Sequence, residues 1–435
     1  MCSSYQDSKS HFLLFRFTRV YRSQSGSIVV GVYVEEFSLH FFLQKEEVEM
    51  SPSPTEKEAI LRIIDSIDGR DDDYCAHEFN VYRWLVAYGN DEEEAAKALK
   101  RHLNIRKTID LNSFVEKVEL EEDELNKYVP IDVIGQNHPD DNKVLMFERT
   151  GKIDISGLVD NVLMHKFMQI KLKMMESVHQ KVVAAERKTG RQSGGLFVMD
   201  LDGISFSTKL ISVLTGPYRI MWGTLFDHYP QLLQKIIIVN APSFVNVLHS
   251  ACSPFLPDDY KEKIVITSES AIDAIQKHVD KSFLPSDLGG ELPRKTSLPS
   301  APFPKTNKKE EKEKVNLVAI SVPAGKYVVQ KFEWKKGQEI EFFLHNESSF
   351  HYFMFHSEDD TRDMNSWREM TVGCERPALS QVDSWKYTVP SNGFYFIRYG
   401  NHNSWYFSTT VNTNHFIYNE NGVKIALTPI EIFNI

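Results

Sequence analysis

Cysteine is scarce in this chain: Cys2, Cys75, Cys252 and Cys374 are scattered through 435 residues, with no Cys-x-x-Cys spacing. That argues against a disulfide framework or a zinc ribbon and for a reducing compartment, so a cytoplasmic location is expected. Basic charge is also short. Fifty Lys and Arg against sixty Asp and Glu leave a net charge of −10 and a pI near 5.9. Nucleic-acid partners favour a basic surface, so none is expected. A local basic patch could still meet a membrane. No apolar run approaches the ~18 residues of a membrane span. The best candidate, Ile28 to Leu43, is broken by Glu35, Glu36 and His40. There is no Gly-x-Ser-x-Gly and no glycine-rich phosphate loop, and Gly194-Gly195 and Gly289-Gly290 read as turns.

What is present is an ordinary globular composition, 42% apolar and 25% charged, with room for two or three domains. Residues 1–50 hold aromatic and β-prone pieces and read as an extension of unassigned role. Residues 51–110 read as a small helical unit. Thr55 with Glu58 makes a capping box, and Ala59, Ile60, Ile63, Ile64 and Ile67 share a face. Gly89-Asn90-Asp91 breaks a second helix and caps a third, whose acidic first turn suits the helix dipole. Across 111–292, strands at Lys143–Glu148, Leu196–Asp200, Ile236–Val239 and Ile264–Thr267 alternate with helices. That alternation predicts an α/β layer with a mostly parallel sheet. Residues 293–314, rich in Pro, Lys and Glu, read as a linker that cannot build a core. Residues 315–420 alternate aromatic and polar positions between regular turns, the pattern of an all-β sandwich. Residues 421–435 read as a tail.

The stretch Lys235–Leu256 organises the middle of the chain. Ile236–Val239 is an unbroken β-branched run, as in a strand buried on both faces, and Asn240-Ala241-Pro242 stops it. Phe244, Leu248, Ala251 and Phe255 then recur at helical spacing, with Val245, Val247, Cys252 and Leu256 apolar as well. A helix that avoids water nearly all round suggests a lid over an apolar cavity. The rival reading of such a helix is an ordinary buried helix in a three-layer domain.

One constellation points elsewhere. The apolar strand ending in Asp200-Leu201-Asp202-Gly203 resembles the opening of haloacid-dehalogenase-type phosphatases, with Asp200 as nucleophile and Asp202 as acid/base. That chemistry also needs a later strand ending in paired acids, and the chain beyond Lys281 runs into Leu-Pro, Gly-Gly and the linker. The alternative is that both aspartates bond the strand-end turn. His351 and His356, five apart on one expected strand, fall on opposite faces and do not pair as metal ligands.

FVMDLDGIS, HYPQLLQKIIIVNAPSFVNVLHSACSPFL, the KIVI strand and FLPSDLGGEL together resemble the CRAL-TRIO lipid-binding domain. The 55–106 helices resemble the small helical domain that precedes it. GFYFIRYGNHNSWYFSTTV resembles the GOLD β-sandwich that follows CRAL-TRIO in the supernatant-protein-factor group. The resemblance implies a non-enzymatic lipid-binding, transfer or sensing protein without a metal or cofactor, holding one hydrophobic ligand such as a phospholipid, tocopherol or another isoprenoid. The gate implied is Ser243–Leu256. The pocket and gate residues are Leu196, Val198, Ile236, Ile238, Phe244, Val247, Leu248, Ala251 and Phe255. Expected partners are the lipid, a membrane surface touched transiently, and a protein met through the GOLD domain. The alternative function is an adaptor in membrane trafficking whose pocket is vestigial.

Phosphatidylinositol-binding members carry Leu-Arg-Ala-Arg-Lys in the second small helix, where this chain has Leu85-Val86-Ala87-Tyr88-Gly89. Their lysine after the fourth strand falls near Asp273 here. A phosphate dianion loses its charge-assisted partners at both places.

Overall fold

The computed structural model describes residues 51–109, 111, 124–138, 141–252, 261–299, 301–303, 315–370, 374–378, 381–402, 404–419 and 422–435. The N-terminal extension and most of the charged linker lie outside these residues.

Three helices open the described chain: α1 (Pro54–Ser66), α2 (Glu78–Ala87) and α3 (Glu92–Thr108). The capping box of α1 is formed by Ser53 and Glu56, two residues earlier than Thr55 with Glu58. Proline explains the shift, because at the first helical position its missing N–H costs nothing. Asp91 caps α3 as expected, its carboxylate accepting from the Glu93 and Glu94 amides. Gly89 and Asn90 make the preceding turn at φ of +61° and +66°. Ile60, Ile63, Trp84, Leu85 and Leu99 form the core of this unit.

Next come β1 (Ile131–Gln136), β2 (Lys143–Glu148), α4 (Ile155–Asn161), α5 (Met164–Thr189) and β3 (Gly194–Asp200). They are followed by α6 (Thr208–Val213), α7 (Arg219–His228), β4 (Leu233–Val239), α8 (Ser243–Cys252), β5 (Ile264–Ile266) and α9 (Ala271–Ile275). The sheet order is β1-β2-β3-β4-β5, with β1 antiparallel and the other neighbours parallel. One sheet face carries Val144, Met146, Phe197, Met199 and Ile236 against α5 and α7. The other carries Leu145, Phe147, Leu196, Val198 and Ile237 against α9 and Leu284. Helices α6 and α7 are separated because Gly216 and Pro217 force a π-type turn at Leu214–Tyr218.

The remaining strands are β6 (Val318–Val322), β7 (Tyr327–Trp334), β8 (Glu339–Asn346), β9 (Phe350–Ser357), β10 (Arg368–Glu369), β11 (Cys374–Arg376), β12 (Asp383–Thr388), β13 (Gly393–Gly400), β14 (Thr409–Tyr418), β15 (Lys424–Ala426) and β16 (Glu431–Asn434). They form two antiparallel sheets, β10-β9-β13-β7-β16 and β12-β8-β14-β15, with β11 added to β9 and β6 to β14. Phe332, Trp334, Phe342, Tyr395 and Tyr399 fill the space between the sheets.

Two expected boundaries move. Residues 421–435 are not a free tail, since β15 pairs with β14 and β16 pairs with β7. The linker is not free from 293 onward either. Arg294 and Ser297 bond Asp132, Thr296 bonds Asp287, and the Phe303 ring stacks on Tyr128 at 4.0 Å. Proline-rich chain cannot form helix or sheet, but its side chains can still tie it to a surface.

Candidate functional site

The sandwich touches the α/β layer through charged and polar side chains. Arg101 of α3 makes a two-pronged pair with Glu369, at 2.7 and 3.0 Å. Arg219 of α7 pairs with Glu375 at 2.8 Å. His165 Nδ1 lies 2.6 Å from Asp383 Oδ1, and Gln381 donates to the Val162 carbonyl.

Beneath this contact lies a cavity of about 210 Å³. Its walls are mostly aliphatic and aromatic: Leu158, Val159 and Val162 from α4, Met164 and Phe167 from α5, and Val213, Pro217 and Tyr218 from the kinked connection. Pro377, Ala378, Gln381 and Asp383 close it from the sandwich side. Its floor holds one buried polar group. Lys171 Nζ lies 2.8 Å from Glu148 Oε2, and the Thr150 hydroxyl donates to Glu148 Oε1 at 2.9 Å. Both charged side chains are almost wholly buried. A buried pair of this kind costs more desolvation than it returns unless every oxygen and proton is matched, as Thr150 helps to do here. Burial, then the nearby Glu148 charge, push the Tyr218 hydroxyl far above its usual range, so it stays a neutral donor. The cavity can therefore hold an apolar body and offer it a small number of hydrogen-bonding atoms.

Of the nine residues expected at a pocket and gate, the seven with described side chains, Leu196, Val198, Ile236, Ile238, Phe244, Val247 and Leu248, lie away from this space. Leu196 and Val198 lie on the α9 face of the sheet, whereas Ile236 lies on the α5 face and Ile238 packs beside it. Parallel register pairs Phe197 with Ile236 and Met199 with Ile238, so the β3 side chains sharing the Ile236 face are those of Phe197 and Met199. Leu196 and Val198 therefore stand on the opposite sheet face from Ile236, as the alternation of a strand requires. Of the seven whose side chains are described, none lines the cavity. In α8, Phe244 and Val245 pack on Leu201, Ala241 and Ile266, and Leu248 is half-buried. Val247 is 70% exposed and belongs to the outer face. Phe255 and the end of the expected gate lie outside the described residues, as does the Ala251 side chain.

The cavity's own residues were missed because Leu163 and Phe167 fit an ordinary core stripe. The signal available was Lys171, a lysine set among Phe167, Ile170 and Met174, together with Glu148 at the end of the apolar strand β2.

Asp200 is engaged as a strand-end turn residue. Its oxygens accept from the Asp202 amide and the Asn240 side chain and meet Arg149, while Asp202 pairs with Lys152 at the surface. Among the described residues no group of three His, Cys, Asp or Glu side chains is placed to hold a metal. His351 and His356 do fall on opposite faces of β9. The first stacks on His402 at 3.8 Å, and the second bonds the Asn392 carbonyl. Tyr88 and Gly89 sit in the α2–α3 turn, and Asp273 accepts from Ser270 in the first turn of α9.

Residues 133–290 match the sequence profile of the CRAL/TRIO domain, and residues 303–426 match that of an F28H7_8_C-like C-terminal domain. The α/β layer is a CRAL-TRIO domain, followed by an all-β region. The CRAL-TRIO family binds lipid ligands, and its members are typically transfer proteins rather than enzymes. GOLD, expected for the sandwich, is not the name of the C-terminal match. CRAL-TRIO domain-containing protein F28H7.8 of Caenorhabditis elegans is 28% identical over 359 residues, 80% of this chain and 86% of that protein. Protein ctg-1 of the same organism is 24% identical over 209 residues, 48% of this chain and 52% of that protein. Among solved structures, that of Sfh5 aligns at 18% identity and a TM-score of 0.44, covering 56% of this chain and 87% of that one.

Proposed function

We propose that this chain is a non-enzymatic carrier or sensor that takes one hydrophobic ligand into the cavity between α4, α5, the 214–218 turn and the sandwich. The observation that carries the reading is a mostly apolar space inside a lipid-binding domain type, with a buried polar cluster, Glu148–Lys171–Thr150, in its lining. Aliphatic walls accept a chain or ring system, and the polar floor accepts one hydroxyl, carbonyl or ester. At about 210 Å³ the space is smaller than the ~300 Å³ where pockets for drug-sized ligands begin. A diacyl lipid therefore requires a wall to move, whereas a slender single-chain or isoprenoid ligand needs less. Hiding two acyl chains of ~16 carbons from water is worth on the order of 20 kcal/mol, which only an almost wholly apolar cavity can offset.

The half-apolar α8, with Val247 outward and Phe244 inward, fits a gate whose outer face meets a bilayer as it opens. The sandwich, whose stretch 394–411 resembles GOLD, supplies contact with a partner or a membrane. Peripheral, reversible membrane association in the cytoplasm follows from the same reading.

The test is extraction of the purified full chain and mass spectrometry of what it holds, beside a Val213→Trp variant that fills the cavity. A stoichiometric lipid in the wild type, lost in the variant at unchanged thermal midpoint, is the expected result. A protein that retains no lipid and cannot be loaded with any sinks the carrier reading.

A further inference from the structure

The connection between β13 and β14 presents three consecutive aromatic rings to solvent. Trp405, Tyr406 and Phe407 are 70%, 86% and 80% exposed. No other two exposed large apolar side chains among the described residues adjoin in sequence. Left to themselves such rings would fold back on the sheet, so what holds them out matters. The loop spends its polar groups on itself. The buried Asn401 amide donates to the Phe407 and Val322 carbonyls, at 2.9 and 3.0 Å. The Ser404 hydroxyl donates to the Phe407 carbonyl at 2.7 Å and accepts from the Phe407 amide at 3.2 Å. The result is a closed turn with its backbone bonded inward and its rings outward.

Residues 401–408 also carry no carboxylate, lysine or arginine, on a chain of net charge −10. Burial, then Arg398, hold the His402 imidazole below its usual range, so the loop is uncharged at neutral pH. A protein interface surrounds its aromatic anchors with a polar rim that carries direct hydrogen bonds, and here the polar groups of the loop are turned inward on its own backbone. A convex, uncharged, internally bonded aromatic tip suits instead the water–hydrocarbon boundary, where backbone groups lose their water and aromatic rings are favoured.

The tip is tied to the cavity wall. Thr409, just past the loop, lies 2.5 Å from the Ser348 hydroxyl, and Asn346 donates to both the Ser348 and Pro377 carbonyls, at 2.9 and 2.7 Å. Pro377 lines the cavity.

We propose that the Trp405-Tyr406-Phe407 loop is a membrane-insertion tip that seats the sandwich in the lipid interface beside the cavity. The purpose assigned to the tip rests on the carrier reading above, though its membrane contact does not. Insertion is driven by the rings, so it needs no anionic lipid.

The test is co-flotation of the full chain with vesicles of pure phosphatidylcholine and of phosphatidylcholine doped with phosphatidylserine, with bound lipid ligand quantified on the same samples. Wild type is expected to float with both, at low and high salt. The Trp405→Ser/Tyr406→Ser/Phe407→Ser variant keeps its thermal midpoint and any ligand but binds vesicles at least about tenfold more weakly, from the apolar area each ring no longer buries. Equal flotation of variant and wild type overturns the proposal. So does binding that needs phosphatidylserine and vanishes with salt, or a wild type that ignores vesicles and captures a protein instead. A wild type that floats while holding no ligand, beside a variant that does not float, sinks the carrier reading and leaves the tip standing.

Discussion

His102 and His228 meet Nδ1 to Nδ1 at 3.2 Å in a site sealed from water, and neither Nε2 has a partner. Burial holds both imidazoles below their usual range, with His228 at about 3, and the Arg101 and Arg106 charges push the same way. The folded protein thus binds fewer protons than the unfolded chain below pH 6.5, and its stability drains away as pH falls through that point. Each such histidine contributes a slope of about 1.4 kcal/mol per pH unit. A second loss begins lower. Against the burial that would raise it, the His179 and Arg106 hydrogen bonds pull Glu176 down to about 2, so its contribution disappears only below pH 4.5. Urea midpoints measured from pH 6.5 to 4.5 should fall steadily in the wild type. They should fall less steeply in His228→Gln, and an unchanged slope there would show that the pair is not kept neutral.

At the scale of elements, the turn after α9 holds the sheet's second face. Gly289 has φ of +77°, and a Cβ on Gly290 would come 2.1 Å from the Leu284 carbonyl oxygen. Leu284 is itself fully buried against that face. Gly290→Ala should therefore destabilise by about 1–3 kcal/mol through overpacking, and Gly289→Ala by about 1 kcal/mol through strain. Thermal melts check both, and a Gly290→Ala protein as stable as wild type would refute the close approach.

The contrast with α8 shows what a sequence can tell. Strand runs such as Lys143–Glu148 and the break at Gly89-Asn90-Asp91 before α3 were readable because periodicity and punctuation are local. The α/β layer and the all-β region were readable for the same reason, and the CRAL-TRIO assignment came from the resemblance of motifs such as FVMDLDGIS. The parity of β3 was not, since alternation cannot choose a face in a strand apolar throughout. The cavity was not either, because its far wall comes from Pro377 to Asp383, distant in sequence from α4 and α5.

For the whole molecule, the contact between sandwich and α/β layer is polar and spread over three arms, Arg101–Glu369, Arg219–Glu375 and His165–Asp383. Asp383, with 1% of its side chain exposed, depends on His165 and Arg376 for partners. Removing one member of a buried pair strands the other, at a cost of about 3–5 kcal/mol. Asp383→Ala combined with Arg101→Ala should therefore split one calorimetric transition into two, with the sandwich and the α/β layer melting separately. A single transition at the wild-type position would mean that the contact contributes nothing. Since Asp383 also lines the cavity, the same variant should hold its ligand less tightly.

The sheet order β1-β2-β3-β4-β5 follows the order of the chain. Each strand can therefore dock on the one made just before it, and the α/β layer can assemble progressively while synthesis continues. The sandwich has no such freedom: β7 must wait for β13 on one side and β16 on the other. Strand β7 thus stays without a neighbour while β8 to β12 are made, and gains its second edge only with β16. On the ribosome the α/β layer is complete early, while the sandwich that closes the cavity spends that interval open to aggregation and to chaperones.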